Sequence, residues 1–455
     1  MRETPLSKLG ESRVLRAFMP IINAHNEQVA ATARQAGRIE PLEVGPGDDC
    51  AVLAAPAPGQ RTVVTTDTLV EDQDFMNLWP GGIARAGEAG EFNLEPARSS
   101  GYDVGRKAAT QNLADVAAMG ARPASLFISL SLPGSTPYGW IDGFAHGIVD
   151  GINACGATEC VIGGGDIGDS TEMSVTVTAL GYTDHAVLRS GARPGDTIAL
   201  AGRTAWSDAG LRLLLNPLSL PATALLRAIA AGQDADVALG AVAQAWEKKR
   251  VEKQAEGSGA LPTGALPEGL IELVRTLSPE DAAHMIAVCE RAVASQHNPV
   301  SPIPAGEVAR QHQASSMLDL SDGLVKDAGR VAAASGVQMR LDRAAVDAFA
   351  EPLLPLARLL LAIGERNEAG ESPASLARTF VLVGGEDHGL LATFPGEVPE
   401  EFVPLGTCVA DAPERGLSAE LYGAERRHNA VTGAAVVMDG RSLDGMGWEH
   451  YGASA

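Results

Sequence analysis

Cationic side chains are scarce in this chain. Its 455 residues carry 57 Asp and Glu but only 35 Lys and Arg, a formal net charge of −22. Such a surface repels nucleic acid and anionic membranes, so any phosphate ligand must be handled locally, by metal ions or backbone N–H groups. Cysteine is scarce too. Cys50, Cys155, Cys160, Cys289 and Cys408 are odd in number and form no Cys-x-x-Cys pair, and Cys155 and Cys160 have no further partner at zinc spacing. This argues against a disulfide framework or a zinc centre and fits a reducing compartment. No run of about 18 apolar residues occurs, which excludes a spanning helix. The N-terminus, Met1-Arg2-Glu3-Thr4-Pro5, lacks the apolar core of a signal peptide. The expectation is a cytoplasmic protein with neither a membrane nor a nucleic-acid partner. Also missing are a Walker A motif, a kinase-type Gly-rich loop with its lysine, and a Rossmann fingerprint.

What remains is a globular composition, 45% apolar with 51 glycines, at a length that predicts two to three domains. Leu15, Phe18, Met19 and Ile22 have helical spacing, so residues 7–35 read as a peripheral helix, kinked or split at Pro20. A β-branched run, Val63-Val64-Thr65-Thr66, predicts a strand ending at Asp67. Residues 78–101 are rich in Gly, Ala and Glu and read as an exposed insertion. A helix is expected from Ala108 to Met119, closed by Gly120, with Asn112 and Asp115 on one face and therefore exposed or liganded. Strands at 126–132, 161–162 and 173–182 and a helix at 138–154 complete an α+β region with a largely antiparallel sheet.

The turn-rich junction near residues 183–188 separates an N-terminal domain, 44–185, from a C-terminal α/β domain, 186–455. Residues 1–43 form a helical extension. The C-terminal part is interrupted at about 216–295 by an insertion expected to hold a helix, an exposed loop and a second helix. Leu324–Ser335 reads as a helix capped by Ser321 or Asp322, and Phe380–Val383 as a strand.

One pattern recurs: an apolar strand, a turn with glycine, and a carboxylate. It occurs at Gly47-Asp48-Asp49, Gly165-Asp166 and Gly385-Glu386-Asp387, with Asp67 and Asp319-Leu320-Ser321-Asp322 as variants. Any one of these could be a turn and nothing else. Together they suggest a shared acidic cleft suited to Mg²⁺, which takes oxygen ligands and usually shares them with substrate phosphates.

The segments Gly47-Asp48-Asp49, Thr65-Thr66-Asp67-Thr68-Leu69-Val70, Asn112-Leu113-Ala114-Asp115-Val116-Ala117-Ala118-Met119-Gly120-Ala121, Gly164-Gly165-Asp166, Leu188-Arg189-Ser190-Gly191-Ala192, Asp319-Leu320-Ser321-Asp322-Gly323-Leu324 and Gly384-Gly385-Glu386-Asp387 occur in that order. In this the chain resembles thiamine-monophosphate kinases, within the superfamily of aminoimidazole ribonucleotide synthetase. The resemblance implies transfer of the ATP γ-phosphate to thiamine monophosphate. It also implies a two-domain subunit with an N-terminal mixed sheet and helices, which forms a homodimer through that sheet. By matched position, Asp49, Asp67, Asp115, Asp166, Asp319 and Asp322 would hold several Mg²⁺ ions, with Thr66 beside them. Thr65, Gly165, Asp166, Arg189 and Ser321 would meet ATP. Glu386, Trp448 and position 74 would meet the substrate, although Asp74 stands where the family usually has His. Lys107 would be a phosphate contact.

The chemistry agrees with this implication. A phosphate acceptor is already anionic near neutral pH, so no side-chain acid or base is required; charge neutralisation and in-line alignment are. The alternatives are another ATP-dependent enzyme of the superfamily or a non-catalytic nucleotide-binding relative. The cysteines that selenophosphate synthetase and the hydrogenase-maturation protein need are absent from residues 1–43 and from the Tyr451–Ala455 end.

Overall fold

A computed structural model describes residues 2–86, 92–255, 265–366, 372–410 and 435–443. The first part of the chain runs α1 (Glu11–Gln35), β1 (Leu42–Val44), β2 (Val52–Leu53), β3 (Arg61–Val70), β4 (Arg85–Ala86), β5 (Phe92–Asn93), α2 (Gly101–Ala118), β6 (Arg122–Leu132), α3 (Tyr138–Ala154), β7 (Val161–Asp169) and β8 (Ser174–Thr183). Four of these strands form a sheet of order β3-β8-β6-β7. Its β3–β8 and β6–β8 pairs are antiparallel; β6 and β7 are parallel and are joined by α3. The expected glycine turn before Asp166 is instead strand: Gly163, Gly164 and Gly165 lie within β7.

Helix α2 begins earlier than the alanine-rich run suggests, because Ser100 and Asp103 form a reciprocal capping box. It crosses α3 at close range; a Cβ on Gly105 would lie 2.4 Å from the Phe144 carbonyl oxygen. Leu113, Val116, Phe144 and Ile148 meet Leu126, Ile128, Val175 and Val177 in one core. Helix α1 contains Pro20 and lies against α3 with Val14, Phe18 and Ile22 buried. Its Asn26 both donates to the Ile162 carbonyl (2.8 Å) and accepts from the Ile162 N–H (2.9 Å), satisfying backbone groups of β7. Asn112 is buried, with its amide donating to the Ala108 carbonyl, so it does not share the exposed or liganded setting expected for it beside Asp115.

The second part runs β9 (Thr197–Ala201), α4 (Trp206–Leu215), α5 (Ser219–Ala230), α6 (Ala235–Ala255), α7 (Glu268–Thr276), α8 (Pro279–His297), α9 (Ile303–Gln311), β10 (Ser316–Asp319), α10 (Leu324–Ser335), β11 (Val337–Leu341), α11 (Arg343–Ala350), α12 (Leu354–Ala362), α13 (Pro373–Val383), β12 (Leu390–Phe394), β13 (Phe402–Ala410), β14 (Val436–Met438) and β15 (Arg441–Ser442). Among the described residues these build a seven-stranded sheet of order β10-β12-β9-β13-β11-β14-β15. Its two faces serve different cores. Ile198 and Leu200 of β9 join the helical layer, whereas Ala199 and Ala201, with Ala392 of β12, join the core around α2.

Three expectations are corrected here. Residues 380–383 are the end of α13, not a strand; the apolar run is a buried helical face, and Ser372 caps the helix through the Ser375 N–H. Among the described residues the 216–295 segment holds four helices, α5 to α8, with Leu220, Leu225, Leu270 and Met285 in the core, while the expected loop at 256–264 lies outside the described residues. Within the 78–101 segment Trp79, Ala84 and Leu94 are buried, and the Gly82 and Ala84 N–H groups donate to Ser219 Oγ and Thr223 Oγ1 of α5 (both 2.9 Å). The two inserted segments therefore pack on each other. Among the described residues no single helix is long and apolar enough to cross a membrane.

Candidate active site

A cleft of about 750 Å³ opens between the two sheets. Its first wall comes from β3 and α2. Thr65 and Asp67, two apart on β3, share a face. Asp115 meets them from the last turns of α2 and accepts a hydrogen bond from Thr65 Oγ1 (2.6 Å). Burial raises the Asp67 pKa, opposed by a hydrogen bond from Gln111, one helical turn before Asp115. Burial, and next the charge of Asp319, pushes Asp115 up to about 6. Both carboxylates are short of positive charge.

The second wall comes from the turn after β10 and the turn after α13. Asp319 ends β10 and accepts from His388 Nδ1 (3.1 Å). Burial works to lower the His388 pKa, but the hydrogen bond and charge of Asp319 prevail and raise it. The Ser321 and Asp322 N–H groups donate to Asp327 Oδ2 (3.1 and 3.0 Å), so a carboxylate from within α10 holds this turn, in place of the expected Ser321 or Asp322 cap. Arg330 pairs with Asp322 and with Asp327 (2.6 Å), and Lys326 lies 3.6 Å from Asp322. The Glu386 and His388 N–H groups donate to the Ser321 and Leu320 carbonyls (both 3.1 Å), which locks the two turns together. Gly385 leaves no room for a side chain, since a Cβ there would sit 2.1 Å from the Ser321 carbonyl oxygen. Asp387 is buried and accepts from the Ser207 N–H at the start of α4 (3.1 Å). Its pKa rises to about 7, chiefly through burial.

Of the residues singled out from sequence, Asp67, Asp74, Asp115, Arg189, Asp319, Ser321, Asp322 and Glu386 line this cleft, and Thr65 is joined to it through Asp115. Others lie elsewhere. Asp49 is exposed in the turn after Gly47, where its N–H donates to Asp48 Oδ1 (2.8 Å). Thr66 faces the opposite side of β3 from Asp67 and donates to the Val177 carbonyl (3.1 Å). Gly165 and Asp166 are exposed on β7, which β8 and β6 separate from β3. Trp448 lies outside the described residues. Asp74 turns one carboxylate oxygen to its own loop, accepting from the Val70 N–H (2.7 Å). Lys107 is buried against Asp74 and Glu386. No motif in the sequence marks Gln111, Asp327, Arg330 or His388 as part of the site. Gln111 was accessible from its i−4 spacing to Asp115; the others carried no signal apart from proximity to the Asp-x-x-Asp and Glu-Asp pairs.

Among the described residues no three acidic, histidine or cysteine side chains form a ready-made metal cage. The donor set still fits Mg²⁺. That ion is commonly held by one or two carboxylates plus substrate phosphates, and Asp67, Asp115 and Asp319 crowd like charge into one partly desolvated space.

Comparison with known proteins places this arrangement. The family "AIR synthase related protein, N-terminal domain" matches residues 47–183. Two solved structures share the overall fold: AaThiL complexed with AMPPCP and TMP, at 20% identity and a TM-score of 0.52 over 98% of this chain and 99% of that one, and thiamine-monophosphate kinase from Stenotrophomonas maltophilia K279a, at 21% identity and a TM-score of 0.52 over 94% and 96%. Residues 47–183 thus form an AIR-synthase-related domain, and carboxylates wall the site between the two sheets. The thiamine-monophosphate kinase of Mycobacterium tuberculosis is 30% identical over 91% of this chain and 89% of its own, and that of Corynebacterium glutamicum is 30% identical over 79% and 80%. The chain belongs to the thiamine-monophosphate kinase family.

Proposed function

We infer that the protein transfers the γ-phosphate of ATP to thiamine monophosphate, giving thiamine diphosphate and ADP. The observation that carries this is a family likeness spanning 91% of the chain, in a molecule whose two sheets enclose an acidic cleft. The acceptor phosphate is an adequate nucleophile once aligned, so the cleft needs no side-chain general base. Its task is to hold two anionic groups in line.

Asp67, Asp115, Asp319 and Asp322 are the residues that would hold Mg²⁺, with Asp49, Asp166 and Thr66 as further candidates. Mg²⁺, when bound, would neutralise crowded phosphate charge and help align the transfer. His388 orients Asp319 through its Nδ1. Arg189, Ser321, Thr65 and Gly165 are the proposed ATP contacts. Glu386, Asp74 and Trp448 are the proposed contacts of the thiamine end, whose thiazolium ring is cationic and suits an acidic wall. The division into 44–185 and 186–455 and a homodimer through the first sheet belong to the same proposal. A second copy on that sheet offers a way for the exposed Asp166 and Gly165 to serve a cleft that their own subunit keeps them from. A cytoplasmic setting is consistent with the chain's composition.

The test is turnover of ATP and thiamine monophosphate with Mg²⁺, by wild type and by Asp319→Asn. Thiamine diphosphate and ADP should form in equal amounts with wild type and nearly vanish with the variant. No diphosphate from wild type would overturn the reading.

A further inference from the structure

We propose that Lys107 is a positioning residue that fixes Glu386 for the cationic ring of the substrate by tying α2 to the turn after α13. This deepens, and rests on, the reading that thiamine monophosphate is the acceptor.

Lys107 is only 3% exposed. A buried ammonium is tolerated only where it is paired and hydrogen-bonded. Its Nζ donates to the Asp74 carbonyl (2.8 Å) and forms an ion pair with Glu386. Both partners are themselves held. Asp74 braces its own loop through the Val70 N–H, which presents its carbonyl to Lys107. Glu386 has φ +67°, a conformation costly for a residue with a side chain, and its N–H is bonded to Ser321. Strain of that kind persists only where the surroundings over-determine it, and here it aims a side chain. The Glu386 side chain remains 35% exposed and faces the cleft, whereas Lys107 does not line it. Lys107 lines instead a small recess with Trp79 and His297. A direct contact of Lys107 with phosphate would require it to leave both partners and its burial. Met76 and Trp79 line the cleft alongside Asp74 and Glu386, an apolar and acidic combination that suits a flat cationic ring.

The test is steady-state kinetics with ATP, Mg²⁺ and thiamine monophosphate, with thermal melts as a folding check. Lys107→Met should raise KM for thiamine monophosphate by about tenfold while KM for ATP stays within about twofold. In a Glu386→Gln background the same substitution should add less than about twofold, because the pair is already broken. If Lys107→Met does not fold, Lys107→Gln, which keeps a donor, should show the same split with a smaller rise. A raised KM for ATP with an unchanged KM for thiamine monophosphate would make Lys107 a nucleotide contact and overturn the proposal. So would independent, multiplicative effects of the two substitutions. Failure of wild type to phosphorylate thiamine monophosphate would sink the functional reading; wild-type turnover with unchanged kinetics in Lys107→Met would sink this inference alone.

Discussion

The two walls of the cleft carry similar carboxylates in opposite electrostatic settings. Asp67 and Asp115 stand on a strand and a helix, and polar neutral neighbours, Thr65 and Gln111, are their hydrogen-bond donors. Asp319 at the end of a strand, and Asp322 and Glu386 on the turns that follow, meet His388, Arg330, Lys326 and Lys107. The first wall is therefore charge-deficient and poised for a cation from solution. The second is already compensated and gains from keeping its side chains where they are. A divalent ion in the cleft, as proposed, would meet one wall short of positive charge and another whose oxygens are already held in place.

Four measurements would break or sharpen that contrast. The largest effect is on turnover: Asp115→Asn and Asp322→Asn should each lower kcat by about 10³-fold or more, measured as diphosphate formed at saturating substrates. Loss in only one of them would confine the chemistry to one wall. Next is Asp387, whose main partner is a backbone N–H. Its carboxyl, raised to about 7 by burial, takes up a proton on folding. The stability it contributes is full below about pH 4, its unfolded value, and is lost as pH rises through about 7. Urea midpoints between pH 5 and 8 should show a loss on the order of 2 kcal/mol that Asp387→Asn largely removes. Third, Arg330→Met should cost about 1–2 kcal/mol, since it strips Asp322 and the buried Asp327 of a partner; the figure is modest because the arginine side chain is 32% exposed. The smallest effect has the opposite sign. Without Mg²⁺, Asp115→Asn should stabilise the fold by about 1 kcal/mol by relieving like charge, seen as a higher melting temperature. With Mg²⁺ the wild type should gain and the variant should not. A destabilised Asp115→Asn would mean that the first wall is compensated after all.

Part of this site was legible because Asp67 and Asp319 follow apolar runs, although the strand expected to end at Asp67 continues to Val70 and only Asp319 closes its strand. Asp322 follows Asp319 in the same motif, whereas Asp115 stands out only by its place on a helix face and by the family resemblance. What was not legible depended on three dimensions. Phe380–Val383 reads equally as strand or buried helix, since a run of four cannot separate the two periods; the Ser-Pro start at Ser372 was the better guide. The 78–101 segment has little apolar periodicity because it lies along α5 through backbone N–H groups bonded to Ser219 and Thr223. Asp166 shares its local pattern with Asp319, yet strand order puts it across the sheet from Asp67. Lys107 was marked as a cation and assigned to phosphate, because no pattern in one sequence shows which carboxylate a lysine will meet.

Ala199, Ala201 and Ala392 carry a consequence for motion. They place one face of the second sheet inside the core of the first. Swinging the halves apart about a hinge would bring that apolar face into water. Any closure over substrate is therefore limited to sliding of packed surfaces and reorientation of loops, with the cleft's width set when the chain folds.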